Sequence, residues 1–505
     1  MMLAAWILSA AVFSRPMERV ASLDPTLATS AYDARVASLL YETPLAVDYR
    51  ARPYRLVPGV CELPEVSADG LTYLFRFRRD ERGERLSEVG AADMVRSLER
   101  LRDPEKVCPN GWLVKAVDTI RALDDATVEI RLKRRQHSFP WLMAQGGASI
   151  VKPDGDGTGP FELVRWRKNH EMLFRRRAPA TTGDADFFEF VRYLIIDDAS
   201  TQWLMFLKGE IDFLGEISRD NWDAVIGDDG QLDPQLQAAG VELHSMPSLD
   251  IYYIGMNMRD PVLGKNRALR QALTCAFDYA RWEKFYNGRI APANGPVPPG
   301  VGEGRVTSPA PFAFDVERAR RLMTEAGYPD GIDPATGRRL VLSLAIGRAS
   351  QDSRESGELL AAFFEKIGVR LELKFYTWNA FLKAVDEGRV QLYRMAWVGD
   401  YPDAENFLQL FHSSNVSPGP NHSFYMNAEY DREFDAAEAA ENAEDRAAHF
   451  IRCQEILRED CPWIFCNHSM ANSLVHRRVG DYVPSDFPYG QEQFFTVRDG
   501  EEKTK

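Results

Sequence analysis

Among 505 residues the chain has only six cysteines and eight histidines, and no two cysteines stand at Cys-x-x-Cys spacing. That excludes the paired-thiolate zinc sites, whose ligands come in close couples. Cys453, Cys461 and Cys466 lie near enough for one disulfide in an oxidising compartment, with buried free thiols as the competing reading. His412 and His422 flank a loop and give a weak metal signal, so no metal and no cofactor are expected. No long hydrophobic run is present: the one nearly continuous apolar stretch, Leu3 to Phe13, is too short for a bilayer but has signal-core length. Residues 1–14 are therefore a candidate signal segment, incomplete because no Lys or Arg precedes its apolar core. No cysteine precedes Cys61, which argues against a lipoprotein anchor and leaves a periplasmic or extracytoplasmic protein as the expectation.

Catalytic signatures are missing too. There is no Gly-x-Ser-x-Gly elbow and no His-Glu-x-x-His, so a binding protein is expected rather than an enzyme. A hydrolase would have to use Asp400 and Asp403 as paired carboxylates, and Asp403 reads better as a helix cap. The net charge of -14 excludes nucleic acid as the main partner. The basic runs Lys133-Arg134-Arg135 and Arg175-Arg176-Arg177 read as solvated faces.

What is present is ample apolar material: 45% hydrophobic and 11% aromatic residues support packed cores. The length suggests about three domain-sized units. Leu71 to Arg78 is a half-buried strand, Ala91 to Arg102 a helix with Met94, Val95, Leu98 and Leu101 on one face, and Asp118 to Leu132 a hairpin turning at Asp124-Asp125. Together they form an α+β insert. Residues 46–53 read as a loop, and Gly155-Asp156-Gly157-Thr158-Gly159-Pro160 as a structural turn, since a strand rather than a helix follows it. Asp250 to Asn257 is a strong strand, followed by one helix from Asn266 to Tyr286.

From Asp315 the pattern alternates. Strands at Leu340–Ile346, Val369–Tyr376 and Val390–Val398, with helices at Glu355–Ile367 and Asn379–Glu387 between them, make a βαβαβ unit with parallel strands. Such sheets take ligands at the carboxyl ends of their strands. Those ends carry Gly347-Arg348 and Gly399-Asp400, a fixed cation and a fixed anion on one rim, which suits a zwitterion. Arg394, Trp397 and Asp400 follow at three-residue steps, with Tyr401 next; strict alternation puts Arg394 and Trp397 on opposite faces of the strand. The chain returns in a strand at Ile464 to Val475, so it crosses between lobes twice, as a hinge requires.

Taken together, Leu23-Asp24-Pro25, Tyr41-Glu42-Thr43-Pro44-Leu45, Thr72-Tyr73-Leu74-Phe75-Arg76-Phe77-Arg78, Gly157-Thr158-Gly159-Pro160-Phe161 and Tyr253-Ile254-Gly255-Met256-Asn257 resemble the family 5 extracellular solute-binding proteins, in order and nearly end to end. These are dipeptide- and oligopeptide-binding subunits of ABC importers. The resemblance implies an α/β, type II periplasmic-binding-protein fold, two lobes joined by a hinge, with an extra α+β domain inserted in the N-terminal lobe. Lobe I would comprise residues 15–48, 155–255 and 475–505, the insert 49–154, and lobe II 256–474. The Asp three residues after the Trp would pair with a peptide α-amino group: here Asp400, beside Trp397 and Tyr401. The carboxylate would meet Arg394, as in oligopeptide binders, or Arg348, as in dipeptide binders. The implied partners are a short peptide or similar zwitterion and ABC permease subunits, with the protein a monomer. A non-peptide solute (opine, sugar, metal chelate or haem) is the alternative the family allows.

Overall fold

A computed structural model describes residues 11–498 except 29, 104, 106–107, 179–180, 183–184, 216, 218, 228–229, 486 and 488. The chain forms two compact units, Met1–Met246 with Ala471–Lys505, and Pro247–Met470. The crossings thus come at 246/247 and 470/471, earlier than the expected 255/256 and 474/475. The reason is that Asp250–Met256 pairs along its whole length inside the second unit's sheet.

In the first unit, Val12–Met17 runs parallel to Phe190–Ile195, and Glu171–Arg176 and Phe161–Arg167 continue that sheet antiparallel. Phe13 is fully buried, and the Ser14 amide donates to Asp212 Oδ2 at 2.8 Å. The last three residues of the 1–14 candidate signal segment therefore belong to a core strand, and its first ten lie outside the described residues. A second four-stranded sheet, in the order Glu65–Val66, Thr72–Arg76, Thr127–Leu132, Val117–Ala122, carries the helix Ala91–Arg100. Tyr73 and Phe75 point inward while Arg76 is exposed, the alternation the sequence showed. The expected 46–53 loop starts instead as a strand, Leu45–Asp48, paired with Arg55–Pro58. The glycine run is a turn pressed on a helix end: the Gly159 amide donates to Leu40 O at 2.9 Å, and a Cβ on Gly157 would lie 1.9 Å from that oxygen.

In the second unit, Asp250–Met256 is antiparallel to Leu392–Val398, which is parallel to Val341–Ile346, itself parallel to Arg370–Phe375. Two buried layers cover the sheet. One face packs Ile254, Leu342, Leu344 and Leu392 against Leu269, Leu273, Phe363 and Phe364. The other packs Ile251, Tyr253, Tyr393 and Met395 against Phe381, Phe407, Tyr430 and Phe450. The helix expected from Asn266 to Tyr286 is two, Arg267–Ala276 and Tyr279–Tyr286. Asp278 breaks it by accepting from the Arg281 amide at 3.1 Å and capping the second helix.

All six cysteines are free thiols, so no disulfide joins Cys453, Cys461 or Cys466; burial pushes the Cys461 and Cys466 thiols up to about 12. His412 Nδ1 is engaged by Ser414 Oγ at 2.7 Å, and no metal-binding group of three ligands occurs among the described residues. Among them, too, no helix is long and apolar enough to cross a membrane.

Candidate functional site

The rim of the second unit's sheet is built by the last of its three parallel strands. Leu392–Val398 alternates as strands do, so Tyr393, Met395 and Trp397 lie on one face and Leu392 and Arg394 on the other. Arg394 reaches the helical layer of its face. Its guanidinium donates to Ser356 Oγ at 2.5 Å and Tyr286 OH at 2.6 Å and lies 5.3 Å from the Trp282 ring centroid. These are neutral partners; no carboxylate pairs with it among the described residues. Arg394 and Trp397 are therefore not brought together.

Beyond Val398 the chain turns through Gly399, whose amide donates to Leu249 O at 2.7 Å. A Cβ there would stand 2.7 Å from Phe407 and 3.0 Å from Leu249, so only glycine lets the turn pack this closely. Asp403 then caps the helix Ala404–Leu408, accepting from the Glu405 amide at 2.8 Å. It is also clasped by Arg446 through two bonds of 2.9 and 3.0 Å. Asp403 thus has a structural task and is unavailable as the second carboxylate of a hydrolytic pair.

Asn406, a buried residue that the sequence reading passed over, organises the turn. Its Oδ1 accepts from Trp397 Nε1 at 3.0 Å and from the Asp400 amide at 3.2 Å, while its Nδ2 donates to Asp400 Oδ2 at 3.5 Å. One amide side chain therefore positions both the indole and the carboxylate. Asp400 itself is solvent-exposed at its surface yet ringed by protein, and this desolvation raises its carboxyl, opposed by the Asn406 hydrogen bond. Tyr401 is buried, its hydroxyl donating to Glu405 Oε2. Glu405 is half-buried by surface but closely enclosed. Desolvation, with Glu438 and Asp403 nearby, pushes it up to about 8.

Arg348 leaves the adjacent parallel strand. The last pair between the two strands is Ile346 with Arg394, and Arg348 follows two residues past the end of its strand. It is exposed and makes no hydrogen bond or ion pair among the described residues. Gly347 before it backs on Trp378, 55% exposed at the start of its helix and a second rim residue that sequence reasoning missed. The signal for Trp378 was there to be found: a large aromatic at a helix start, on the carboxyl side of the Arg370–Phe375 strand.

The rim of this sheet thus presents a carboxylate held by Asn406, an uncommitted guanidinium and the exposed ring of Trp378. The chain belongs to the bacterial extracellular solute-binding proteins, family 5, whose model matches residues 55–419. It has the type II periplasmic-binding fold of that family. It is 26% identical to heme-binding protein A of Haemophilus influenzae, covering 89% of this chain and 85% of that protein. It is 24% identical to the dipeptide-binding protein of Escherichia coli K12, covering 94% and 92% respectively. Among solved structures, HbpA2 of Haemophilus parasuis superposes with a TM-score of 0.83 at 23% identity, covering 96% of this chain and 99% of that one. The periplasmic murein tripeptide-binding protein MppA in its unliganded open form gives 0.82 at 22% identity, covering 97% and 98%.

Proposed function

We propose that this solute-binding protein captures short peptides outside the cytoplasm and delivers them to the permease of an ABC importer. The relatives named for dipeptide and murein tripeptide binding support a peptide as the solute. In this reading Asp400 pairs with the peptide's α-amino group, Trp397 and Tyr401 flank it, and Arg348 meets the carboxylate. Arg348 is preferred to Arg394 because Arg394 is already committed to Ser356 and Tyr286. The observation that carries the reading is the pairing of a held anion with an exposed, uncommitted cation on neighbouring parallel strands.

Desolvating a terminal ammonium is unfavourable unless a carboxylate receives it. Asp400→Ala is expected to weaken peptide binding by roughly 3–5 kcal/mol, about two to three and a half decades. Calorimetric titration with peptides of two to four residues tests this. Equal affinity in the variant would remove Asp400 from the site.

A further inference from the structure

The first unit contains a cavity of about 800 Å³ that shares no residue with the rim just described. Its walls come from the end of the Ala31–Leu40 helix, the Leu45–Pro58 hairpin, the loop at 144–146, the glycine turn and, near the C-terminus, Phe487, Gln491, Gln493 and Phe494. The volume lies within the range of small-molecule sites.

We propose that this cavity is a second ligand site, for a neutral saccharide of one to three rings. The wall has an aromatic platform. Phe494 lies flat on the buried ring of Tyr49, with centroids 5.1 Å apart and planes 19° from parallel. With one face on Tyr49, and with Phe494 40% exposed, the outer face is left to receive the apolar face of a sugar ring. Beside it sits Gln493, whose Nε2 donates to Gly490 O at 3.1 Å and whose Oε1 accepts nothing among the described residues. A ring face and an adjacent amide oxygen are complementary to a pyranose, which offers C–H groups on its faces and hydroxyl donors at its edge.

The charges in the wall argue for a neutral guest. Asp48 is held by Arg55 through Nε at 3.0 Å and Nη2 at 2.6 Å. Arg50 lies 3.4 Å from Asp481, and Arg78 lies 3.8 Å from Glu62. Glu42 accepts from the Ser87 hydroxyl at 2.6 Å. Each lining charge already has a local partner, so an anionic or cationic ligand would have to displace one. A polyhydroxylated neutral molecule need not.

The test uses the whole protein and three probes: maltotriose, cellotriose and N-acetylchitotriose, followed by saturation-transfer NMR and calorimetry. At least one should saturate at millimolar concentration. Phe494→Ala and Gln493→Ala should each weaken it by about tenfold or more, while Asp400→Ala leaves it unchanged. An unchanged melting temperature checks that each variant is folded. No saturation by any probe would overturn the proposal, as would binding that survives both wall variants or that disappears with Asp400→Ala. Peptide affinity, read in the same samples, reports separately on the site in the other unit.

Discussion

Asn406 illustrates how much of the proposed site rests on a residue that need not touch the ligand. Its buried amide makes three bonds, to the Trp397 indole, the Asp400 amide and the Asp400 carboxylate. Truncation leaves donors without an acceptor, and each such loss costs on the order of 1–3 kcal/mol when buried. Asn406→Ala should therefore lower both the melting temperature and peptide affinity, with Trp397 fluorescence shifted in the apo protein. Asp400 behaves differently. Its carboxyl is raised by desolvation, so its ionisation is less favourable in the folded chain than in the unfolded one and does not stabilise the apo protein. Asp400→Asn should melt at or slightly above the parent at neutral pH while binding peptide poorly; a clear fall in melting temperature would assign Asp400 a structural role. Such opposite stability effects in adjacent residues were not legible in the sequence. Asp400 was found from its place after a strand, whereas Asn406 read only as part of a helix, because side-chain bonds within a turn leave no periodic trace.

The elements of the second unit were legible wherever hydrophobic period and caps agreed. The alternation of strand and helix from Asp315 onward is reproduced in the parallel sheet. The break at Phe277–Asp278 was missed because both helices bury the same layer, through Leu273 and Trp282, so the apolar pattern runs on across the junction. Close packing between strands makes its own prediction. A Cβ on Gly255 would lie 2.2 Å from the ring of Tyr393, which is fully buried and cannot move aside. Gly255→Ala should cost about 1–3 kcal/mol or more in chemical unfolding, with peptide affinity affected less than by Asp400→Ala. The short helix after the site carries a pH dependence. Glu405 is raised to about 8 by desolvation and by Glu438 and Asp403, from an ordinary value of 4.5. Between these values the folded chain holds a proton that the unfolded chain releases, so stability falls as pH rises through that window. Glu405→Gln keeps an acceptor for Tyr401 and should gain melting temperature over the parent progressively from about pH 5 to about pH 8. A constant difference across that range would contradict the assignment.

At the scale of the molecule, two crossings of the chain divide it into units. Both crossings were visible in sequence order, but the points of division were not. Strand residues such as Asp250 read the same whichever unit claims them, and only the pairing of Asp250 with Val398 decides. The most direct test compares a tripeptide with free termini against its N-acetylated and C-amidated forms, by calorimetry on the parent, Asp400→Ala and Arg348→Ala. N-acetylation should weaken binding to the parent about as much as Asp400→Ala does and have little further effect on that variant; C-amidation should do the same with Arg348→Ala. If the parent holds the doubly blocked peptide as tightly as the free one, the rim charges do not grip the ends of the guest and the account fails.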